Sequence, residues 1–223
     1  FPSRDYNLTD ISGVSREYEQ ARTDTLSGLL DGAFELLCVS ADAAVQRTVP
    51  PGVLAANRFE LKTGDTVDLD RLCRRFSSAG YTRSELTDGK GQFSVRGGII
   101  DIFPTGFEAP VRIELWGDEI DGIAFFDPET QRRGEPIDSV TVTPAREILY
   151  SPEELALKLD KYANTARSLT AKQKERILRD SETLSAGIGI CPDRYIPLLY
   201  EGGSIFDYCS EALLIVCESG NIN

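Results

Sequence analysis

The sequence predicts an α/β fold in which an incomplete parallel-sheet domain is interrupted by an inserted α+β domain of mostly antiparallel strands. Two continuous apolar runs, Phe34-Glu-Leu-Leu-Cys-Val-Ser40 and Ala212-Leu-Leu-Ile-Val-Cys-Glu218, read as strands covered on both faces, the pattern of a parallel sheet. Between them lie segments that alternate apolar and polar residues and are divided by Gly- and Pro-bearing turns, the pattern of antiparallel order. Pro50-Pro51-Gly52 breaks the chain where the character changes. These observations place the first part of the α/β domain at 1–48, the inserted domain at 49–145 and the second part of the α/β domain at 146–223.

In chain order, a helix is expected first. Ser15 is its N-cap, Tyr18, Leu26, Leu29 and Leu30 are spaced for burial, and Asp31-Gly32 is the stop. The run at 34–40 follows as a strand, then a short helix. Asn57-Arg-Phe-Glu-Leu-Lys-Thr-Gly-Asp65 reads as a strand ending in a turn. Residues 68–79 read as a helix capped by Asp68, with Leu69, Leu72, Cys73 and Phe76 inward and Gly80 after its end. Arg71, Arg74 and Arg75 fall on its outer face, a solvated surface in preference to a small acidic-partner site. Strands are expected at 81–87, 92–103, 111–116, 120–126 and 139–143. Ser151-Pro-Glu-Glu154 combines a cap, a Pro at the first helical position and an acidic third residue, and opens a helix burying Leu155, Leu159 and Tyr162. A second capping box is expected at Thr170 to Gln173, before a helix whose Lys172, Lys174, Arg176 and Arg179 mix with acids on a solvated face. The strand at 212–218 should then pair with the sheet that holds 34–40.

The 223 residues are ample for a core, and their net charge of −12 disfavours binding DNA by phosphate neutralisation, which needs a basic patch. Cysteines at 38, 73, 191, 209 and 217 show no C-x-x-C spacing and read as reduced core residues; without histidine there is no zinc set of the usual kind and no usual general base or triad. No G-x-x-x-x-G-K-[ST] loop is present to cradle phosphates. Asp118, Glu119, Asp121 and Asp127 read as turn and strand-end acids in preference to a cation site. No catalytic residue, cofactor or metal is therefore expected. No apolar stretch reaches the ~18 residues of a membrane span and no charged-then-apolar leader precedes Phe1, so a cytoplasmic protein is expected. With no methionine anywhere and an apolar run close to the last residue, both ends look cut.

The most informative segment is Gly91-Gln-Phe-Ser-Val-Arg-Gly-Gly-Ile-Ile-Asp-Ile-Phe-Pro104, with Val111-Arg-Ile-Glu-Leu-Trp-Gly-Asp-Glu119 and Phe126-Asp-Pro-Glu-Thr-Gln-Arg132. Alternation puts Val111, Ile113 and Leu115 on one face and Arg112, Glu114 and Trp116 on the other. Arg96 projects with the polar set of its own strand, and Gly97-Gly98 permit a bulge or a close backbone approach. If the two strands are neighbours, Arg96 and Arg112 share an outer surface with Trp116 and Glu114. Arg and Trp dominate binding hot spots, which suggests a docking surface. A self-contained salt-bridge ladder, in which Glu114 satisfies both arginines, explains the same residues equally well.

These three segments resemble the UvrB-homology module of bacterial transcription-repair coupling factors. Ser15-Arg-Glu-Tyr-Glu-Gln, Val45-Gln-Arg-Thr-Val-Pro-Pro51, Asp193-Arg-Tyr-Ile-Pro-Leu-Leu-Tyr200 and Ile205-Phe-Asp-Tyr extend the likeness in the same order. The excision-repair helicase UvrB shares the F-x-V-R-G-x-x-I-D-I-F-P core, so a UvrB-type fragment contacting damaged DNA is the alternative; Phe126-Asp-Pro-Glu-Thr-Gln-Arg132 matches the coupling-factor pattern. The resemblance implies a P-loop-helicase-like first domain lacking its nucleotide loop, and an inserted domain that docks the damage-recognition protein UvrA through Arg96, Arg112 and Trp116, with Glu114 orienting the arginines. It implies recruitment of repair to a stalled RNA polymerase. Polymerase, double-stranded DNA and ATP would be bound by parts outside this chain, and a C-terminal domain can mask the docking surface.

Overall fold

The computed structural model describes residues 1–4, 17–190 and 192–217. They divide into two compact units, one of 1–4, 17–147 and 203–217, the other of 148–190 and 192–202. The fold is mixed α/β.

The first unit runs α1 (Glu17–Leu30), α2 (Ala41–Val45), α3 (Pro51–Asn57), β1 (Phe59–Lys62), α4 (Leu69–Ser78), β2 (Thr82–Arg83), β3 (Gln92–Arg96), β4 (Ile99–Ile102), β5 (Val111–Trp116), β6 (Glu119–Phe126), β7 (Arg133–Ile137) and β8 (Ser139–Val142), with a 3-10 turn at Ile205–Tyr208. A six-stranded sheet has the order β2-β3-β4-β5-β6-β7; β2 and β3 are parallel and every other pair antiparallel, while β1 and β8 form a separate antiparallel ribbon.

One sheet face is apolar because Phe93, Ile100, Ile102, Val111, Ile113, Ile120 and Ile123 are buried together. α4 covers it. The Asp68 side chain accepts from the Arg71 amide at 2.7 Å and starts this helix, and its inward face delivers Leu72 and Phe76. The Phe76 ring centroid lies 5.2 Å from that of Phe93, 5.9 Å from Phe59 and 6.1 Å from Tyr81. Each buried aromatic contributes about 2 to 3 kcal/mol of transfer free energy, so this cluster fixes α4 to the sheet. Asp68→Ala should cost about 1 kcal/mol, because an orphan N–H of the first turn loses its acceptor; a urea titration showing no fall in midpoint would contradict this role for the cap.

A buried ionic cluster ties α1 to the segment after β8. Glu147 accepts from Arg22 Nε at 2.6 Å and Nη2 at 3.0 Å, and is also engaged by Arg4 and by the Thr48 hydroxyl.

The second unit is a helical hairpin of α5 (Pro152–Thr165) and α6 (Ala171–Ser185), followed by a 3-10 turn (Asp193–Tyr195) and α7 (Ile196–Leu199). Ser151 caps α5 through the Glu154 amide at 3.4 Å, and Thr170 with Gln173 forms a reciprocal capping box at α6. Leu155 and Leu159 of α5 pack with Ile177 and Leu184 of α6, and the Tyr195 hydroxyl donates to Asp180 at 2.6 Å.

Several expectations are overturned. Neither 34–40 nor 212–217 is a strand, so the parallel sheet expected to join them is not formed among the described residues; residue 218 lies outside them. Leu36 is 81% exposed and Leu213 88%. An apolar run specifies a buried strand only where flanking strands accept its backbone bonds, and the sole parallel pairing among the described residues is the short β2–β3 contact. Cys38 and Cys217, in these runs, are exposed free thiols and not core residues; Cys191 lies outside the described residues. Tyr18 is exposed, and the Ser15 cap lies outside the described residues. The strand expected at 81–87 is only two residues long, and the one expected at 92–103 is a hairpin. β7 was missed because its Arg133-Gly-Glu-Pro-Ile137 sequence carries Gly and Pro, which an edge strand tolerates.

Candidate functional site

The polar face of the six-stranded sheet is built by the hairpin at Gly97-Gly98. Gly97 has φ +60°, in the left-handed region, and lets Arg96 stand directly opposite Ile99. The Leu115 amide donates to the Gly98 carbonyl at 2.7 Å, and a Cβ at Gly98 would lie 3.1 Å from the Leu115 carbonyl oxygen. This turn places β4 between the strands that carry the two arginines. The cross-strand register then aligns Ser94, Asp101, Arg112 and Ala124 in one row, and Arg96, Ile99, Glu114 and Gly122 in the next.

Asp101 is the centre of the site, with a side chain 1% exposed. Its Oδ1 accepts from Arg112 Nε at 2.7 Å and its Oδ2 from Arg112 Nη2 at 2.9 Å, a bidentate pair; Arg96 Nη2 donates to the same Oδ2 at 2.9 Å. The hydrogen bonds that Arg112 donates to Asp101, opposed by partial burial, raise the Arg112 pKa above its ordinary value. Two guanidiniums thus share one carboxylate, and the three groups carry a net positive charge within an acidic chain.

Gln131 closes the arrangement from the β6–β7 loop. Its Oε1 accepts from Arg112 Nη2 at 2.8 Å and Arg96 Nη2 at 3.2 Å, and its carbonyl accepts from Arg112 Nη1 at 3.3 Å. Asp127 shapes this loop: its Oδ1 accepts from the Thr130 amide at 2.8 Å and the Glu129 amide at 2.9 Å, bonds that hold its carboxyl below the usual carboxylate range. The Arg112 guanidinium also lies 4.5 Å from the Phe126 ring centroid. As a result the Arg112 side chain is 13% exposed and that of Arg96 is 47% exposed.

Of the four residues singled out in the sequence, Arg96 and Arg112 are brought together. Glu114 lies in the same row as Arg96 but pairs with Arg133 at 2.9 Å, so the expectation that Glu114 orients the arginines is corrected: Asp101 does so. Intervening β4 supplies the nearer carboxylate. Trp116 stands at the end of β5, opposite Glu119 and 82% exposed. A large aromatic held on a rigid strand in water is a group suited to burial against a partner.

Sequence reasoning missed Asp101 and Gln131. Asp101 was legible in principle, as a carboxylate flanked by Ile100 and Ile102 with the same alternation as the arginine strand. Gln131 was not, because its place depends on a left-handed loop residue.

Among the described residues, no three His, Cys, Asp or Glu side chains converge to hold a metal ion, and no helix is long and apolar enough to cross a membrane.

Residues 59–148, which contain this site, match the family model of the UvrB interaction domain. Over 98% of its length the chain is 34% identical to the transcription-repair-coupling factor of Bacillus subtilis (strain 168), of which it covers 20%. Over 81% of its length it is 32% identical to the protein of that name from Staphylococcus aureus (strain MRSA252) and 31% to that from Staphylococcus epidermidis, covering 15% of each. The chain thus spans a fifth or less of these relatives. Together, the matched domain and the likeness across nearly the whole chain show that it belongs to the transcription-repair-coupling factor family, of which it carries the UvrB-homology module.

Proposed function

We propose that this chain is a non-catalytic recruitment module, and that its inserted domain, residues 49–145, docks UvrA through Arg96, Arg112 and Trp116, with Glu114 at the edge of the contact. The observation that carries the proposal is the pairing of an exposed Trp116 with two arginines held on one buried carboxylate. Arg96 retains Nε and Nη1 free of any partner among the described residues. A ladder built only for stability has no use for spare donors, or for an exposed indole on the same sheet face. In the longer parent, other parts would drive ATP-dependent translocation on DNA and displace a stalled RNA polymerase, and a C-terminal domain would cover the docking face until it is needed. Calorimetric titration of the chain into UvrA tests the reading: a 1:1 complex abolished by changes at these residues supports it, and no heat of binding overturns it.

The module is not expected to process nucleotide. Without a Lys-bearing phosphate loop, highly purified chain should neither bind ATP with micromolar affinity nor release phosphate above background. Turnover that copurifies with the chain and scales with its concentration would contradict the non-catalytic role.

A further inference from the structure

Gln131 closes the β6–β7 loop in an unfavourable backbone state. It is the one non-glycine residue with positive φ among the described residues, at +59°. A side chain kept in that region costs free energy and persists where the surroundings impose it, a signature of functional positions. The restraints are all present. The Gln131 amide donates to the Asp127 carbonyl at 2.8 Å, and its side-chain Nε2 donates to the Pro128 carbonyl at 2.8 Å. With Nε2 occupied in this way, Oε1 is turned to Arg96 and Arg112.

The two arginines are unequal. Arg112 commits Nε and Nη2 to Asp101, Nη2 also to the Gln131 side chain and Nη1 to the Gln131 carbonyl, and its guanidinium lies over Phe126. Arg96 commits Nη2 alone. We infer that Gln131 is a positioning residue of the docking face: it acts through Arg96, locking one guanidinium nitrogen, Nη2, so that the remaining Nε–H and Nη1–H donors are held in place for acceptor oxygens of the partner, while Arg112 serves as the strut. This rests on the UvrA-docking reading above.

The test is a double-mutant cycle of Gln131→Gly and Arg96→Ala, read by titration with UvrA and by thermal unfolding. Glycine accepts φ +59° without strain, so Gln131→Gly should keep or raise the melting temperature. It should weaken UvrA binding about tenfold, the worth of one lost hydrogen bond to a charged donor. In the Arg96→Ala background it should weaken binding no further, because the group through which it acts is gone. Wild-type affinity for Gln131→Gly, or losses that multiply in the double variant, would overturn the inference while leaving the docking reading intact. Wild-type affinity for Arg96→Ala would overturn the docking reading itself.

Discussion

Replacing Arg96, Arg112 or Trp116 by alanine is expected to weaken UvrA binding by at least ~30-fold each, since truncating a central Arg or Trp of an interface commonly costs ~2 kcal/mol or more. The three losses should differ in character. Trp116 is exposed and packs on no core residue, so Trp116→Ala should leave stability unchanged. Arg96→Ala should do nearly the same, because Asp101 keeps its bidentate partner. Arg112→Ala takes the bidentate partner from a carboxylate that is 1% exposed and leaves it the single Arg96 contact, and should lower stability as well as affinity. Arg74→Ala, on the outer face of α4, and Arg133→Ala should fall well short of these losses in affinity. Equal, small losses for all five variants in a calorimetric titration would reduce the arrangement to a ladder that only stabilises the sheet.

Removing Glu147 is expected to have the largest effect on stability. Its carboxylate and the Arg22 guanidinium are both fully buried, and Arg4 and Thr48 complete the cluster. Truncating one partner of such a pair leaves the opposite charge buried and uncompensated, at about 3 to 5 kcal/mol. Glu147→Ala should therefore shift a urea unfolding midpoint strongly downward. Burial by itself would raise the Glu147 pKa, but the Arg22 hydrogen bonds, the Arg4 and Arg22 charges and the Thr48 hydroxyl outweigh it and hold the carboxyl below its ordinary value of 4.5. A depressed carboxylate contributes stability above its unfolded pKa and loses it as pH falls through the folded one. The wild-type advantage over Glu147→Ala should thus be complete near neutrality and begin to shrink below about 4.5. Neighbouring Glu19 is shifted the other way, raised chiefly by burial and only in smaller part by the Glu147 charge that the substitution removes. An advantage that grows on acidification would contradict this account of the cluster.

What the sequence disclosed follows from how local each feature is. Asp68, Ser151 and Thr170 announced their helices because a cap and its amide are three residues apart. The alternation in β5 placed Arg112, Glu114 and Trp116 on a common face because strand geometry alone decides it. The partner of the arginines was misassigned because it depends on strand order: Gly97-Gly98 reverses the chain instead of bulging it, and the reversal inserts Asp101. Gln131 depends on a loop closed by Asp127, one step further from local rules. The apolar runs at 34–40 and 212–217 failed for a different reason. Apolarity records what a segment can bury, whereas a strand also needs neighbours for its amides and carbonyls.

Trp116 is the single tryptophan of the chain, which makes the docking claim directly observable. Incorporating 5-fluorotryptophan gives one fluorine resonance, and in the free protein its frequency should respond to exchange of water for deuterium oxide, as expected for an indole 82% exposed. Adding UvrA should deplete that resonance in step with complex formation and abolish the solvent response in the bound signal. A resonance that keeps its frequency, intensity and solvent response while titration shows the complex fully formed would contradict docking through this face.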